Sequence, residues 1–220
     1  MATNKAIARG EARESILNTA ETLFARQGVD AVSLRNINAA AGVSPGVLHY
    51  HFGSREVLVL ELISRRMSGL MAEREQLLNS LLQQERPAVR DIMVALVQPL
   101  ANLALEGGED GQRYVQFITR LYADRSPLLE EFSERYRHIN RHYSELLQRA
   151  LPDESPAALD LKMAMANHAM LQMLSDLTAT ERPWLSAALE QVEKNQLVEM
   201  LVDFMSNGII AKHTERNETP

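Results

Sequence analysis

The 220-residue chain contains no cysteine. Disulfides, thiolate metal sites and cysteine nucleophiles are therefore excluded. The longest apolar run, from Ile92 to Leu105, is interrupted by Pro99 and is too short to cross a bilayer. The N-terminal segment is polar and charged, without the apolar core of a secretion signal. We therefore expect a cytoplasmic protein with no membrane association.

Signatures of catalysis are also missing from the sequence. It has no nucleophile elbow, no phosphate-binding glycine loop and no zinc-protease motif. His138 and His142 lie one helical turn apart, but no acidic residue stands at the spacing that a metalloprotease needs. We predict that the protein is not an enzyme and has neither a metal nor a cofactor.

Hydrophobic residues make up 45% of the chain and recur at helical spacing. Because no stretch alternates as a strand does, the pattern predicts an all-α fold with about nine helices. Proline- and glycine-containing breaks separate the helices of the C-terminal part. These predicted helices cover residues 54–82, 88–105, 111–123, 128–150, 156–179 and 184–211.

Near the N-terminus, residues that start and end helices lie unusually close together. Ser33 is a good N-cap for a helix running to about Ala41, and Gly42 suits the left-handed conformation that ends a helix. Ser44 then offers a capping hydroxyl, and Pro45 suits the first position of a second helix. The predicted turn of three or four residues has the length of a helix-turn-helix motif.

The second of these short helices carries polar and ring-bearing residues that can bond to DNA. Ser54 caps the following helix, whose positive N-terminal end forms a phosphate-binding site together with Arg55. The alternative is that the hairpin only packs on a core and leaves its rings at the surface. The candidate DNA-binding residues are Ser33, Arg35, Ser44, Pro45, Gly46, Val47, His49, Tyr50, His51, Ser54 and Arg55.

Residues 16–67 closely resemble the DNA-binding domain of the TetR family of bacterial transcriptional regulators. The resemblance lies in an A-x-x-L-F-x-x-x-G block from Ala20, S-L-R-x-I from Ser33, A-G-V from Ala41, and L-x-Y-H-F-x-S-R-E from Leu48. It implies a three-helix DNA-binding domain followed by a helical domain that binds an effector and dimerises.

Three positions depart from the family pattern. His49 replaces the tyrosine that usually follows the leucine of the recognition helix, Asn38 replaces a small alanine, and Asn36 replaces an acid. These changes leave phosphate binding intact but leave the base preference open.

The resemblance divides the chain into three parts. Residues 11–71 form the predicted DNA-binding domain, with the helix-turn-helix at about 33–52, residues 72–211 form the effector-binding and dimerisation domain, and residues 212–220 form a frayed tail. Residues 1–66 contain eight Lys and Arg against six acids, which gives a net charge of +2. Because the whole chain has a net charge of −6, residues 67–220 have a net charge of −8. Only the N-terminal domain is therefore suited to a polyanion.

The last two long helices have more apolar surface than one packing contact requires. On the first of them, Met163 and Met170 share one face, whereas Leu161 and Met165 lie on another. In the family these helices form a four-helix bundle with a second copy, so the resemblance implies a homodimer. Such a dimer would bind double-stranded DNA at a palindromic operator. The alternative is that both faces are core.

Apolar and aromatic residues of the larger domain, mixed with a few amides, are typical of a pocket for a small apolar or amphipathic effector. The same stripes also suit plain core packing. The candidate ligand-binding residues are Met93, Leu96, Leu100, Tyr114, Phe117, Leu121, Tyr136, Tyr143, Met163, Asn167 and Met170.

These features predict a sequence-specific DNA-binding transcriptional regulator, most often a repressor in the resembled family, released from its operator by an effector of unknown identity. The alternative is a DNA-binding adaptor whose helical body binds a protein partner instead of a small molecule.

Overall fold

The computed structural model describes residues 2–178 and 192–212, with side chains from residue 10 onward, and no strand occurs within these ranges. The prediction of an all-α fold is confirmed. The described ranges contain ten helices: α1 (Ala2–Gln27), α2 (Leu34–Ala40), α3 (Pro45–Phe52), α4 (Arg55–Leu82), α5 (Val89–Glu106), α6 (Gly108–Ala123), α7 (Pro127–Arg135), α8 (Arg137–Ala150), α9 (Pro156–Thr178) and α10 (Lys194–Ile210).

The additional helix arises where the sequence predicts a single helix over residues 128–150. Tyr136 leaves the helical conformation, with φ −108° and ψ 21°, and so ends α7 and precedes α8. Its ring packs on Phe132 of the preceding turn, with ring centroids 5.8 Å apart. Since neither glycine nor proline marks this position, the sequence pattern contains no signal for the break.

Helix α6 begins three residues before the predicted position 111, because the corner with α5 is tighter than expected. A Cβ atom on Gly111 would lie 2.1 Å from the carbonyl oxygen of Leu103. The missing side chain therefore allows α6 to start directly against the end of α5. The first part of the predicted helix 184–211 lies outside the described residues.

Helices α1, α2 and α3 pack together, and the long helix α4 joins them to the rest of the chain. Helix α4 contacts α1 and α3 and also packs on α5, α7 and α8. Its 28 residues extend over about 42 Å at the α-helical rise. The prediction that this helix serves both parts of the molecule agrees with the contacts.

Candidate nucleic-acid interface and effector cavity

The predicted cap at Ser33 and the predicted left-handed glycine at Gly42 are both present around α2. The Ser33 hydroxyl accepts a hydrogen bond from the Asn36 amide at 3.1 Å, and Gly42 has a φ of +66°. The Val43 amide donates to the Asn38 carbonyl at 3.0 Å, which closes the end of α2. Four residues separate the two helices, the length of a helix-turn-helix turn.

Ser44 precedes α3 as predicted, but its hydroxyl makes no capping hydrogen bond. The prediction of a hydroxyl cap is therefore wrong at this position. The Ser44 carbonyl instead accepts from the Val47 amide at 3.0 Å, and Pro45, at the first position of the helix, has no amide that needs a partner. The exposed Ser44 hydroxyl remains available to a surface that approaches the start of α3.

Buried apolar residues hold α3 in place while its other side stays in solvent. Leu48 and Phe52 are buried in the core together with Ile37 of α2. The guanidinium of Arg13 lies 5.5 Å from the centre of the Phe52 ring and pairs with Glu61 of α4. Helix α3 is thus packed against α1, α2 and α4.

All eleven predicted DNA-binding residues lie on the hairpin or at the start of α4, and each is exposed or half-buried. Tyr50 is 70% exposed, and its ring meets the His51 ring edge-on at 5.2 Å. At the start of α4 the Ser54 hydroxyl accepts from the Val57 amide at 3.3 Å, so the predicted cap beside Arg55 is present. The structure therefore gathers these residues into one surface region.

Asn38, where the family usually has alanine, is buried in this hairpin, and its Oδ1 has no hydrogen-bond partner among the described residues. An unsatisfied buried carbonyl oxygen destabilises a fold, and nothing in the structure explains why this residue is asparagine.

Two aromatic rings join α1 to α6. Phe24 of α1 and Phe117 of α6 are fully buried and stack with ring centroids 6.2 Å apart. One turn earlier on α6, the Tyr114 hydroxyl donates to the Ile63 carbonyl of α4 at 2.8 Å. Burial raises the pKa of Tyr114, so the hydroxyl keeps the proton that it donates. Helix α6 thereby contacts both α1 and α4.

A buried carboxyl group, Glu21, lies at the same junction. Neither of its oxygens has a hydrogen-bond partner among the described residues, and Arg65 Nη1 lies 3.8 Å from Oε2. Burial raises the pKa of Glu21, and the opposing effect of Arg65 and the neighbouring arginines is smaller. Because the folded state disfavours its charged form, the stability that Glu21 contributes is greatest below its unfolded pKa and falls as pH rises through its folded pKa.

A cavity of about 180 Å³ lies inside the larger domain. Residues of α4, α5, α6, α7, α8 and α9, together with Tyr136, form its wall. The wall is largely apolar, with a few polar groups. Its residues are Met67, Leu70, Met71, Arg74, Leu100, Tyr114, Ile118, Tyr122, Leu129, Phe132, Ser133, Tyr136, Asn140, Asn167, Met170 and Leu171.

Five of the eleven predicted ligand-binding residues belong to this wall: Leu100, Tyr114, Tyr136, Asn167 and Met170. The other six pack elsewhere. The sequence could not separate them from the wall residues, because helical spacing shows which face of a helix is buried but not which neighbouring helix covers it. Phe117 stacks on Phe24, and Tyr143 bonds to the backbone of α5. The remaining four are core or core-contacting residues outside the wall: Met93, Leu96, Leu121 and Met163.

Sequence reasoning overlooked the contribution of α4 to the cavity. Met67, Leu70, Met71 and Arg74 all come from this helix. Arg74 continues the three- and four-residue spacing of these apolar residues. A charged residue within an apolar helical stripe was the signal that could have revealed it.

An apolar surface remains uncovered along α9 and α10. Met165 and Phe204 are 67% and 71% exposed, and Leu161, Met200 and Ile210 are exposed on the same two helices. Met165 and Phe204 border a groove of about 180 Å³ between the helices. The sequence placed Leu161 and Met165 on a face separate from the core, and the structure agrees. Trp184 to Leu189, in the last predicted helix, lie outside the described residues.

Within the described ranges, none of the helices is long and apolar enough to cross a membrane.

Within the described residues, an exposed helix-turn-helix joined to further packed helices is an arrangement typical of DNA-binding transcriptional regulators. Two family models match it: "Bacterial regulatory proteins, tetR family" over residues 16–62, and "Tetracyclin repressor-like, C-terminal domain" over residues 94–208. The chain belongs to the TetR family.

Curated relatives resemble the chain over part of its length. The HTH-type transcriptional repressor KstR2 of Mycolicibacterium smegmatis is 34% identical over 68 residues, which are 31% of this chain and 33% of that protein. The HTH-type transcriptional regulator AcrR of Shigella flexneri is 42% identical over 52 residues, 24% of each chain. The chain thus matches a third or less of the length of these relatives.

Solved structures match over nearly the whole chain and show the fold. The probable transcriptional regulatory protein RHA5900 has a TM-score of 0.57 at 20% identity, covering 91% of this chain and 100% of its own. NalD, the secondary repressor of the MexAB-OprM multidrug efflux pump in Pseudomonas aeruginosa, has a TM-score of 0.56 at 23% identity, covering 90% of this chain and 95% of its own.

Proposed function

We propose that this regulator is a repressor that leaves its operator when a small effector enters the cavity of the larger domain. One observation carries the proposal: α6 supplies Tyr114 to the cavity wall and, one turn later, Phe117 to the packing against α1. An effector that displaces Tyr114 would also disturb its hydrogen bond to α4. The same helix therefore connects the cavity to both helices that position α3.

On the DNA side, we propose that residues 44–49 at the start of α3 approach base edges in the major groove. The DNA phosphates would be bound by Tyr50, His51 and Arg55. The sugar-phosphate backbone of the DNA would also be contacted by Ser33 and Arg35, at the start of α2. Gly46 is exposed and carries no side chain, so the backbone can come close to the duplex. Such phosphate contacts position the protein, whereas the base contacts select the sequence.

We further propose a homodimer formed through the uncovered apolar faces of α9 and α10. Exposed apolar side chains concentrated on two adjacent helices are typical of an interface. A twofold axis at this interface would present two copies of α3 to a palindromic operator. Effector binding would then change the distance between the two copies, so that the population shifts away from the DNA-binding spacing. None of the comparisons favours the alternative of an adaptor that binds a protein partner.

Replacing Arg55 by alanine tests the DNA-binding part of the proposal. If the guanidinium meets a phosphate, Arg55→Ala will weaken binding to every duplex and lower the slope of log affinity against log salt by about 1 per subunit. Fluorescence anisotropy with labelled duplexes at several salt concentrations measures this slope. Arg86→Ala, which removes an exposed arginine beyond the opposite end of α4, is the matched control. A wild-type slope for Arg55→Ala would contradict the phosphate contact.

A further inference from the structure

Arg74 is a cation in the wall of the effector cavity that lacks an acidic partner. No carboxylate of the described residues lies within 4.0 Å of its guanidinium. The neighbouring carboxylates are directed elsewhere: Glu73 accepts from the Asn102 amide at 3.3 Å, and Glu75 Oε1 lies 3.9 Å from His138 Nε2. Among the described residues, Arg74 therefore has no ion-pair partner, and Glu73 acts on it only through a Coulombic attraction that is smaller than the effect of burial.

Only part of the hydrogen-bonding capacity of Arg74 is used. Nη2 donates to the Leu96 carbonyl at 3.0 Å, whereas Nε is buried and has no partner. A guanidinium has five N–H groups, so the single hydrogen bond to Leu96 leaves donors unused beside the cavity.

Arg74 contacts the backbone of α5 one turn before Pro99, which lies inside this helix. Proline has no amide hydrogen and its ring crowds the carbonyl four residues earlier, so the Ala95 carbonyl loses its helical partner. The Tyr143 hydroxyl donates to the carbonyl of Ala95 at 3.0 Å, and Arg74 donates to that of Leu96. Because the neutral Tyr143 hydroxyl is a sufficient donor for the Ala95 carbonyl, hydrogen bonding to a carbonyl of α5 does not by itself require the charge of Arg74.

Desolvation makes this charge unfavourable unless an anion compensates it. Burial lowers the pKa of Arg74, but arginine stays protonated in proteins. An effector with a negative group would therefore gain charge-assisted hydrogen bonds at this point of the cavity that a neutral molecule of the same shape would not.

We propose that the effector is a small amphipathic carboxylic acid whose carboxylate binds Arg74. This inference rests on the proposed effector-controlled function and specifies its ligand. The apolar body of the acid would lie against Leu70, Met71 and Met170, and the side-chain amide of Asn167 is a further donor on the wall. A cavity of about 180 Å³ is close in size to one of roughly 150 Å³ that holds benzene, so the body is a single ring or a short chain.

The test compares acids with alcohols of the same skeleton. Octanoate is paired with octan-1-ol and benzoate with benzyl alcohol, and binding to the full chain is measured by calorimetry at about pH 7.5, where carboxylic acids are ionised. We expect at least one acid to bind about tenfold or more tightly than its alcohol, the range of a hydrogen bond to a charged group. Arg74→Met should remove this preference and Arg74→Lys should keep part of it.

Arg149→Met is the matched control, because Arg149 also donates to backbone carbonyls, those of Leu82 and Gln84, but lies outside the cavity wall. It should retain the preference for the acid. If Arg74→Met does not fold, the proposal is tested by comparing how strongly the wild type and Arg74→Lys prefer the acid over its alcohol. Equal binding of acids and alcohols to the wild type, or an acid preference that survives Arg74→Met, would overturn the proposal.

Operator affinity measured in the same samples separates this inference from the proposed function. Arg74-dependent binding of an acid without any loss of DNA affinity supports the ligand chemistry and contradicts effector-controlled release. Release of DNA by an alcohol but not by its acid supports effector control and overturns the carboxylate.

Discussion

Replacing Phe204 by glutamate is expected to give a folded monomer that binds its operator about 100-fold more weakly than the wild type. Phe204 is 71% exposed on α10 and borders the groove that also contains Met165 of α9. In the proposed dimer its ring would be covered by the partner, and a carboxylate there would be desolvated. A single helix-turn-helix then loses the contribution of the second half-site.

Sedimentation measures the assembly state of Phe204→Glu, and anisotropy measures its affinity for DNA. Gln83→Glu adds the same charge at an exposed position at the end of α4 that does not line the groove between α9 and α10, and should remain dimeric with wild-type affinity. A Phe204→Glu protein that sediments as a dimer at micromolar concentration would show that the uncovered face is not the dimer interface.

The second large effect is expected at the junction between the two parts of the chain. Phe117→Ala should lower the free energy of unfolding by about 3–5 kcal/mol, the usual result of removing a buried ring. Phe117 is fully buried, stacks on Phe24 and meets the Tyr114 ring edge-on at 6.4 Å. Truncation would therefore leave a cavity between α1 and α6 that the surrounding helices cannot easily fill.

Urea denaturation at one fixed protein concentration measures this change, because the stability of a dimer depends on concentration. Tyr50→Ala is the matched control: it also replaces a ring by a methyl group, but at a position 70% exposed, and should change the free energy of unfolding by no more than about 0.5 kcal/mol. If Phe117→Ala changed stability as little as Tyr50→Ala, the ring stack would not hold the two parts together.

The helix-turn-helix could be read from the sequence because its boundaries depend on local interactions. Ser33 and Ser54 cap with their own side chains, and Gly42 adopts the left-handed conformation that few other residues accept. Ser44 shows the limit of this reasoning, since a serine beside proline has the sequence of a cap and does not form one.

The cavity could be predicted only in part because it depends on which helix faces meet. Tyr114 and Phe117 are three residues apart on α6, yet one lines the cavity and the other packs on α1. The break at Tyr136 has neither glycine nor proline to mark it. Arg74 was not predicted because charged residues are normally assigned to solvent, and its hydrogen bond to the Leu96 carbonyl depends on how α4 packs on α5.

Selection of operators from a random pool of duplexes by the purified protein, followed by sequencing and measurement of the binding stoichiometry, tests the central claim most directly. The account predicts an enriched inverted repeat, with half-site centres about 34 Å or more apart along the duplex, bound by at least two chains. The absence of any enriched sequence, or enrichment of one asymmetric site bound by a single chain, would contradict it.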